Sequence, residues 1–316
     1  MTTISAARVA VLIPCYNEEA TINAVVSEFA IQLPDARIYV FDNNSSDDTF
    51  ARAQQAGATV RRVAYQGKGN VVRRMFADVD ADIYVLVDGD GTYDATDAPG
   101  FIARLIDEDL DMVVGARISN QEQAYRRGHR FGNVMLTQFA SRIFGNSFSD
   151  MLSGYRIFSQ RFVKSFPAHS SGFEIETELT VHALELRMPV AEIGTNYRSR
   201  PEGSASKLNT YRDGLRILLT ILRLFKVEKP LLFFSIGFAV CALASVVLAL
   251  PIFATYVETG LVPRLPTALL CAALMLFGAL LLVCGLVLDT VTRGRAEAKH
   301  FAYLSVLAPS NAIRQD

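Results

Sequence analysis

"VLVDGDGTYD", residues 85–94, runs through apolar positions and then sets Asp88 and Asp90 one residue apart, each followed by glycine. Asp and Gly are the usual residues of turns, so a surface turn is one reading. A calcium loop opens with the same D-x-D. Here, however, Tyr93 stands where that loop needs glycine and Pro99 where it needs glutamate. The third reading is a divalent cation held against a phosphate-bearing ligand. The choice depends on the rest of the chain.

Working outward, residues 1–200 alternate short apolar runs with helical patterns, which predicts an α/β domain on a mostly parallel sheet. "RVAVLIP" (8–14), "RIYVFD" (37–42), "TVRRVAY" (59–65), "DIYVLVD" (82–88) and "DMVVGAR" (111–117) read as strands, and "VAEIGTNYR" as another after Pro189. "EATINAVVSEFAIQL", "DDTFARAQQAG" and "TDAPGFIARLIDEDL" read as helices, the second behind a Ser/Asp cluster suited to capping. Ligands of open α/β sheets bind beyond the carboxyl ends of the strands. Three such ends carry polar clusters: "CYNEE", "DNNSSDD" and "DGDGTYD". Together they read as a site, and an acidic edge accepts phosphate only through a cation. Mg²⁺ or Mn²⁺ suits that role, held by one or two carboxylates plus substrate oxygens. Gly89 and Gly91 would let ligand and metal approach the backbone.

Positive charge sits in "GKGNVVRR" (67–74), "GAR" (115–117), "YRRGHR" (125–130) and "RPEGSASK" (200–207). Lys68 lies outside any Walker loop, because no Ser/Thr follows it and the earlier glycine is missing. Arg73 and Arg74 read as a solvated helix face, and Arg117, directly after a strand, as a phosphate contact. His129, His169, His182 and His300 form no cluster, and the four cysteines, none in metal-ligand spacing, read as small buried hydrophobes. A net charge of −1 gives no electrostatic case for nucleic-acid binding.

No charged residue occurs in 231–250 or 266–288. Each run reaches the ~20 residues needed to cross a ~30 Å hydrocarbon core. Two transmembrane helices, about 231–254 and 266–288, are therefore expected, with Pro251 ending or kinking the first. Before them, 208–229 interleaves Leu215, Leu218, Leu219, Leu222 and Phe225 with Arg212, Arg216, Arg223 and Lys226, the pattern of an interfacial amphipathic helix. The expected organisation is a catalytic domain 1–207, this helix, a membrane hairpin 230–290 and a cytoplasmic tail 291–316. Lys and Arg flank both spans while the connecting loop has only Arg264, which predicts cytoplasmic termini and a multi-pass membrane location. The N-terminus does not read as a signal peptide.

"PCYNEE", "DNNSSDDT", "DGDGTYD", "SDMLSGYRIF" and "RPEGSASKL" occur in the order and rough spacing of family 2 glycosyltransferases of the GT-A fold. Over roughly residues 8–225 the chain resembles polyprenyl-phosphate glycosyltransferases, the dolichol-phosphate mannose synthases and bactoprenol glucosyltransferases among them. The resemblance implies inverting transfer of one sugar from a nucleotide-sugar (UDP-linked favoured, GDP-mannose possible) to polyprenyl phosphate, in a possible homo-oligomer. It implies nucleotide-sugar contacts from Pro14, Tyr16, Glu18, Asp42, Asp88, Gly89, Asp90, Arg117, Arg200 and Lys207. It makes Asp88 and Asp90 the metal and diphosphate site, and Asp90, Arg117 and Lys207 the catalytic set. Arg127, Asp150, Ser153 and Arg156 would meet the acceptor, with core support an equal reading for Asp150. Some mannose synthases carry glutamine where this chain has Thr92, and the glycine–lysine loop is one residue longer here. A membrane nucleotidyltransferase and a non-catalytic sugar-nucleotide sensor are the alternatives. A processive synthase is excluded, because its Q-x-x-R-W motif needs a tryptophan and the chain has none.

Overall fold

The computed structural model describes residues 7–118, 148–198 and 210–310. The chain divides into two compact units, Met1–Leu219 with Lys299–Asp316, and Thr220–Ala298.

The first unit is built on a sheet whose described strands are β1 (Val9–Cys15), β2 (Arg37–Asp42), β3 (Thr59–Arg62), β4 (Ile83–Leu86), β5 (Met112–Ile118), β6 (Arg156–Ser159) and β7 (Val190–Asn196). Their order is β3-β2-β1-β4-β6-β5-β7, and only β6 runs antiparallel to its neighbours. That reversal puts the start of β6 on the same edge as the carboxyl ends of the other strands. Side chains alternate across the sheet, so each strand feeds two cores. Val9, Val11, Ile13, Ile83 and Val85 pack under α1 (Ile22–Gln32) and α4 (Ala98–Asp107). Ala10, Leu12, Tyr84 and Leu86 pack under α3 (Lys68–Asp78), α5 (Gln160–Ser165) and α6 (Ile175–Glu185). A short α2 (Thr49–Gln55) lies between β2 and β3. Phe76, Phe158, Phe162 and Phe166 stack or meet edge-on in the second core. Truncating such a ring costs about 3–5 kcal/mol.

α7 (Thr210–Glu228) spans the division between the units, and Leu215, Leu219 and Leu222 on it are exposed. In the second unit α8 (Pro230–Thr259) and α9 (Leu265–Leu304) are long and apolar enough to cross a membrane, with mean hydropathies of 2.6 and 2.7. Small residues let them touch: a Cβ on Gly278 would meet Cys241 and Phe238, and one on Gly285 would meet Phe234. The first helix does not end at Pro251. It continues to Thr259 and stops at Gly260, whose left-handed φ of 69° closes the last turn onto Tyr256. A proline costs one backbone hydrogen bond, which a long apolar helix tolerates. One further expectation needs correction: Cys284 is exposed on α9, unlike buried Cys15 and Cys271. The segment after residue 290, expected as a cytoplasmic tail, continues in α9 to Leu304, and Lys299–Asp316 groups with the first unit.

Candidate active site

The carboxyl edge of the sheet carries three polar loops, and the structure sorts their acids by use. Asn17, at a left-handed φ of 52°, turns the chain after β1 towards the loop after β2. There Ser46 N–H donates to Asn17 Oδ1 (2.8 Å), and Asn17 N–H donates to Ser45 Oγ (2.9 Å). Glu19 and Asp47 accept from each other's loops, and Asp47 also caps Thr49. These two acids are structural. Pro14 pairs with Phe41 inside the sheet, Tyr16 is partly exposed, and Glu18 is buried where its N–H donates to Thr49 Oγ1. Asp42 ends β2, fully buried. Its Oδ1 accepts from Ser45 N–H, while Oδ2 has Arg62 Nε at 3.6 Å and no hydrogen bond among the described residues.

The D-x-D follows β4. Asp90 is buried and its Oδ1 accepts both the N–H and O–H of Thr92, so Thr92 orients this carboxylate. Thr21 Oγ1 donates to Gly89 O at 2.7 Å, tying the loop to the start of α1. The glycines also meet a need of the fold. A Cβ at Gly89 would overlap Cys15 Sγ beneath the loop, and Gly91 turns the chain at φ 71°.

Asp88 is half-buried and already paired. Lys68 Nζ lies 2.5 Å from Asp88 Oδ1 and 2.5 Å from Glu176 Oε1. Burial alone would pull the ammonium down, but the two carboxylates together outweigh it and hold Lys68 above the usual lysine range. Sequence reasoning missed both Lys68 and Glu176. The flanking glycines of "GKG" were the available signal. Arg73 is exposed on its helix, as expected, and its guanidinium also donates to the carbonyls of Ala168, His169 and Ser170. Arg74 pairs with Asp78 one turn along its helix.

On the other half of the edge Arg117 meets Asp150 through a two-pronged pair, Nε–Oδ2 2.6 Å and Nη2–Oδ1 2.7 Å. Its guanidinium lies over the Tyr197 ring. Glu192 holds the backbone N–H groups of Ser149 and Asp150 from β7. Ser153 is buried, donating to Gly115 O at 2.6 Å. Arg156 is fully buried, and its guanidinium donates to the carbonyls of Met151 and Ser153 and to Thr180 Oγ1. Burial lowers its pKa from the usual arginine value. An acceptor contact expected of Arg156 gives way to support of the 151–153 loop, because its donors face inward. Arg198 N–H donates to Thr92 O and its guanidinium pairs with Asp94, anchoring the chain where 199–209 begins. Arg127, Arg200, Lys207 and His129 lie outside the described residues. Of the other histidines, His182 is buried against Ser165 and the Phe162 and Phe166 rings, away from this edge.

Among the described residues no group of three or more His, Cys, Asp or Glu is placed to hold a metal unaided. Two carboxylates at a strand end nevertheless match the one or two that Mg²⁺ or Mn²⁺ takes from protein when phosphate oxygens and water complete its shell.

A sheet of this order, with its acids and arginine on one edge, is the GT-A arrangement. Residues 10–166 match the glycosyl transferase family 2. The chain is 36% identical over 286 residues to the glycosyltransferase AglJ of Haloferax volcanii, spanning 90% of this chain and 93% of that one. It is 28% identical over 222 residues to the dolichyl-phosphate hexose transferase of the same organism, 70% of this chain and 95% of that one. Among solved structures, glucosyl-3-phosphoglycerate synthase from Mycobacterium tuberculosis, in complex with Mn²⁺, UDP-glucose and phosphoglyceric acid, superposes with a TM-score of 0.59 at 22% identity. That match covers 70% of this chain and 80% of the other. The protein belongs to glycosyltransferase family 2.

Proposed function

We propose that the enzyme transfers one hexose from a nucleoside-diphosphate sugar, UDP-linked in our reading, to polyprenyl phosphate at the cytoplasmic face of a membrane, inverting the anomeric centre. The observation that carries this reading is a family 2 catalytic unit in one chain with two helices long and apolar enough to span a bilayer. The exposed Leu215, Leu219 and Leu222 on α7 support contact with a lipid surface. The dolichyl-phosphate hexose transferase relative favours the lipid acceptor, and the UDP-glucose and Mn²⁺ of the structural relative favour the donor and cofactor.

In this reading Asp42 Oδ2 accepts from the nucleotide base, and Asp88 and Asp90 hold Mg²⁺ or Mn²⁺ at the diphosphate. The bound cation supplies charge compensation for the departing nucleoside diphosphate. Pro14, Tyr16, Glu18 and Gly89 line the donor side, with Arg200. Arg117, Lys207 and Arg127 grip the acceptor phosphate, which Asp150 and Ser153 position from behind. No side chain removes a proton. A phosphate monoester has a second pKa of about 6 and is largely dianionic at neutral pH, so it attacks without a general base.

Membranes containing the protein, supplied with labelled UDP- and GDP-sugars and polyprenyl phosphate, should pass label into the lipid extract and release nucleoside diphosphate. Release of pyrophosphate, or label confined to water-soluble products, overturns the proposal.

A further inference from the structure

Lys68 is fixed more firmly than a solvent-facing lysine would be. A Cβ on Gly67, at φ 126°, would overlap the carbonyl oxygen of Ser171, and one on Gly69 would overlap that of Ser170. The two glycines therefore admit a backbone-to-backbone contact, in which Gly69 N–H donates to Gly172 O at 3.2 Å. The partner loop is held in turn. Glu178 accepts from the N–H groups of His169 and Ser170 (2.8 and 2.7 Å), and Arg73 donates to the carbonyls of 168–170. The outcome is an ammonium, its side chain 8% exposed, shared between Asp88 and buried Glu176.

We propose that Lys68, tethered by Glu176, is a positioning residue that makes loading of the D-x-D cooperative: the divalent cation binds together with the nucleoside diphosphate, not ahead of it. The inference rests on the metal-dependent reading above. A divalent cation needs concentrated negative charge, and Lys68 already balances Asp88. Asp90 directs Oδ1 to Thr92, and no third acid, histidine or cysteine completes a cluster among the described residues. A diphosphate brings the missing charge and oxygen ligands with it. Coupling of this kind is reciprocal, so the cation must strengthen diphosphate binding by the same factor. Glu176 moderates the device. It draws the ammonium partly off Asp88 and keeps it in place when Asp88 changes partner.

The test is Mn²⁺ binding by the full chain in detergent, followed by electron paramagnetic resonance with and without UDP. The wild type should bind Mn²⁺ at least tenfold more tightly with UDP present. Lys68→Met/Glu176→Gln removes the cation together with its buried partner, so no charge is stranded on α6. It should bind Mn²⁺ alone at least tenfold more tightly than wild type and lose most of the UDP enhancement. Glu176→Gln by itself lets the ammonium settle on Asp88 and should weaken Mn²⁺ binding without UDP. A purely structural role would not move the two variants in opposite directions. Unchanged Mn²⁺ affinity in the double variant, with the wild-type UDP effect intact, overturns the inference. If the double variant does not fold, unchanged or tighter Mn²⁺ binding by Glu176→Gln overturns it. Absence of Mn²⁺ binding by the wild type with either UDP or GDP overturns the metal-dependent function, and this inference with it.

Discussion

Arg117 reaches the edge of the sheet with its Nε and Nη2 already held by Asp150. That fork fixes the guanidinium plane with which the proposed function has Arg117 meet the acceptor phosphate. Lysine keeps the charge but has neither the planar fork nor the second prong. Arg117→Lys should therefore lower glycolipid formation at least tenfold with an unchanged circular-dichroism spectrum. Asp150→Asn should do the same by releasing the fork. Asp90→Ala should abolish transfer, and EDTA should silence the wild type until Mg²⁺ or Mn²⁺ is returned, as measured by label in the lipid extract. His182 makes a different prediction, about stability. Burial first, and Lys299 second, push its pKa down from 6.5 to about 3. Between those values the unfolded chain binds one proton more than the folded one. The contribution of neutral His182 is thus complete above pH 6.5 and is lost as the pH falls towards 3. Thermal melts between pH 7 and 5 should fall less steeply in His182→Gln, by up to about 1.4 kcal/mol per pH unit. At this scale the placement of the D-x-D, Asp42 and Arg117 on the carboxyl edge was legible in the sequence, because each directly follows or ends an apolar run. Lys68 and Glu176 were not, since their meeting is a product of tertiary structure between residues 108 positions apart.

Among the elements, β1, β2 and β4 could be read almost to their ends, because apolar runs announce them. β6 could not. It is four residues long, begins with Arg156 and ends with Ser159, and a strand that buries an arginine shows no apolar run. α6 was hidden for a related reason. Glu176, Thr177, Glu178, Thr180 and His182 are all buried on it, so its inward positions read as polar. The start of α3 shows what a short motif can demand of an element. Gly69→Ala places a methyl against the Ser170 carbonyl at the helix's first turn. It should cost about 1–3 kcal/mol, the range for overpacking. In a unit of this size that lowers the melting temperature by roughly 2–4 °C per kcal/mol. Transfer activity should fall further than stability alone explains, since Lys68 is displaced with the turn.

At the scale of the molecule, the flanking charges set the expected topology. Arg223, Lys226 and Lys229 precede the first apolar helix and Arg293, Arg295 and Lys299 follow the apolar stretch of the second, against Arg264 alone between them. Cysteine-accessibility labelling in intact cells should find a cysteine placed at 262 reactive from outside and one placed near 312 protected. The return of the chain to the catalytic unit was not legible, because 299–310 has no motif and its partners lie far back in sequence. Lys299 Nζ lies 2.5 Å from Glu185, and Tyr303 O–H donates to buried Asp111 at 2.9 Å. Arg161 pairs with the same aspartate and covers the Tyr303 ring. Ending the chain at residue 298 should lower the melting temperature of the catalytic unit by roughly 6–24 °C, from the loss of two charge-assisted bonds at about 1.5–3 kcal/mol each.

That returning stretch also sets an order of events during synthesis. Lys299 and Tyr303, which meet Glu185 and Asp111, sit near the carboxyl end of the second long helix and leave the ribosome after the apolar stretches of both helices. A nascent sheet can form early, but Glu185 and Asp111 wait for these two bonds until both apolar stretches have been made. Completion of the catalytic unit is thereby tied to synthesis of the two long helices.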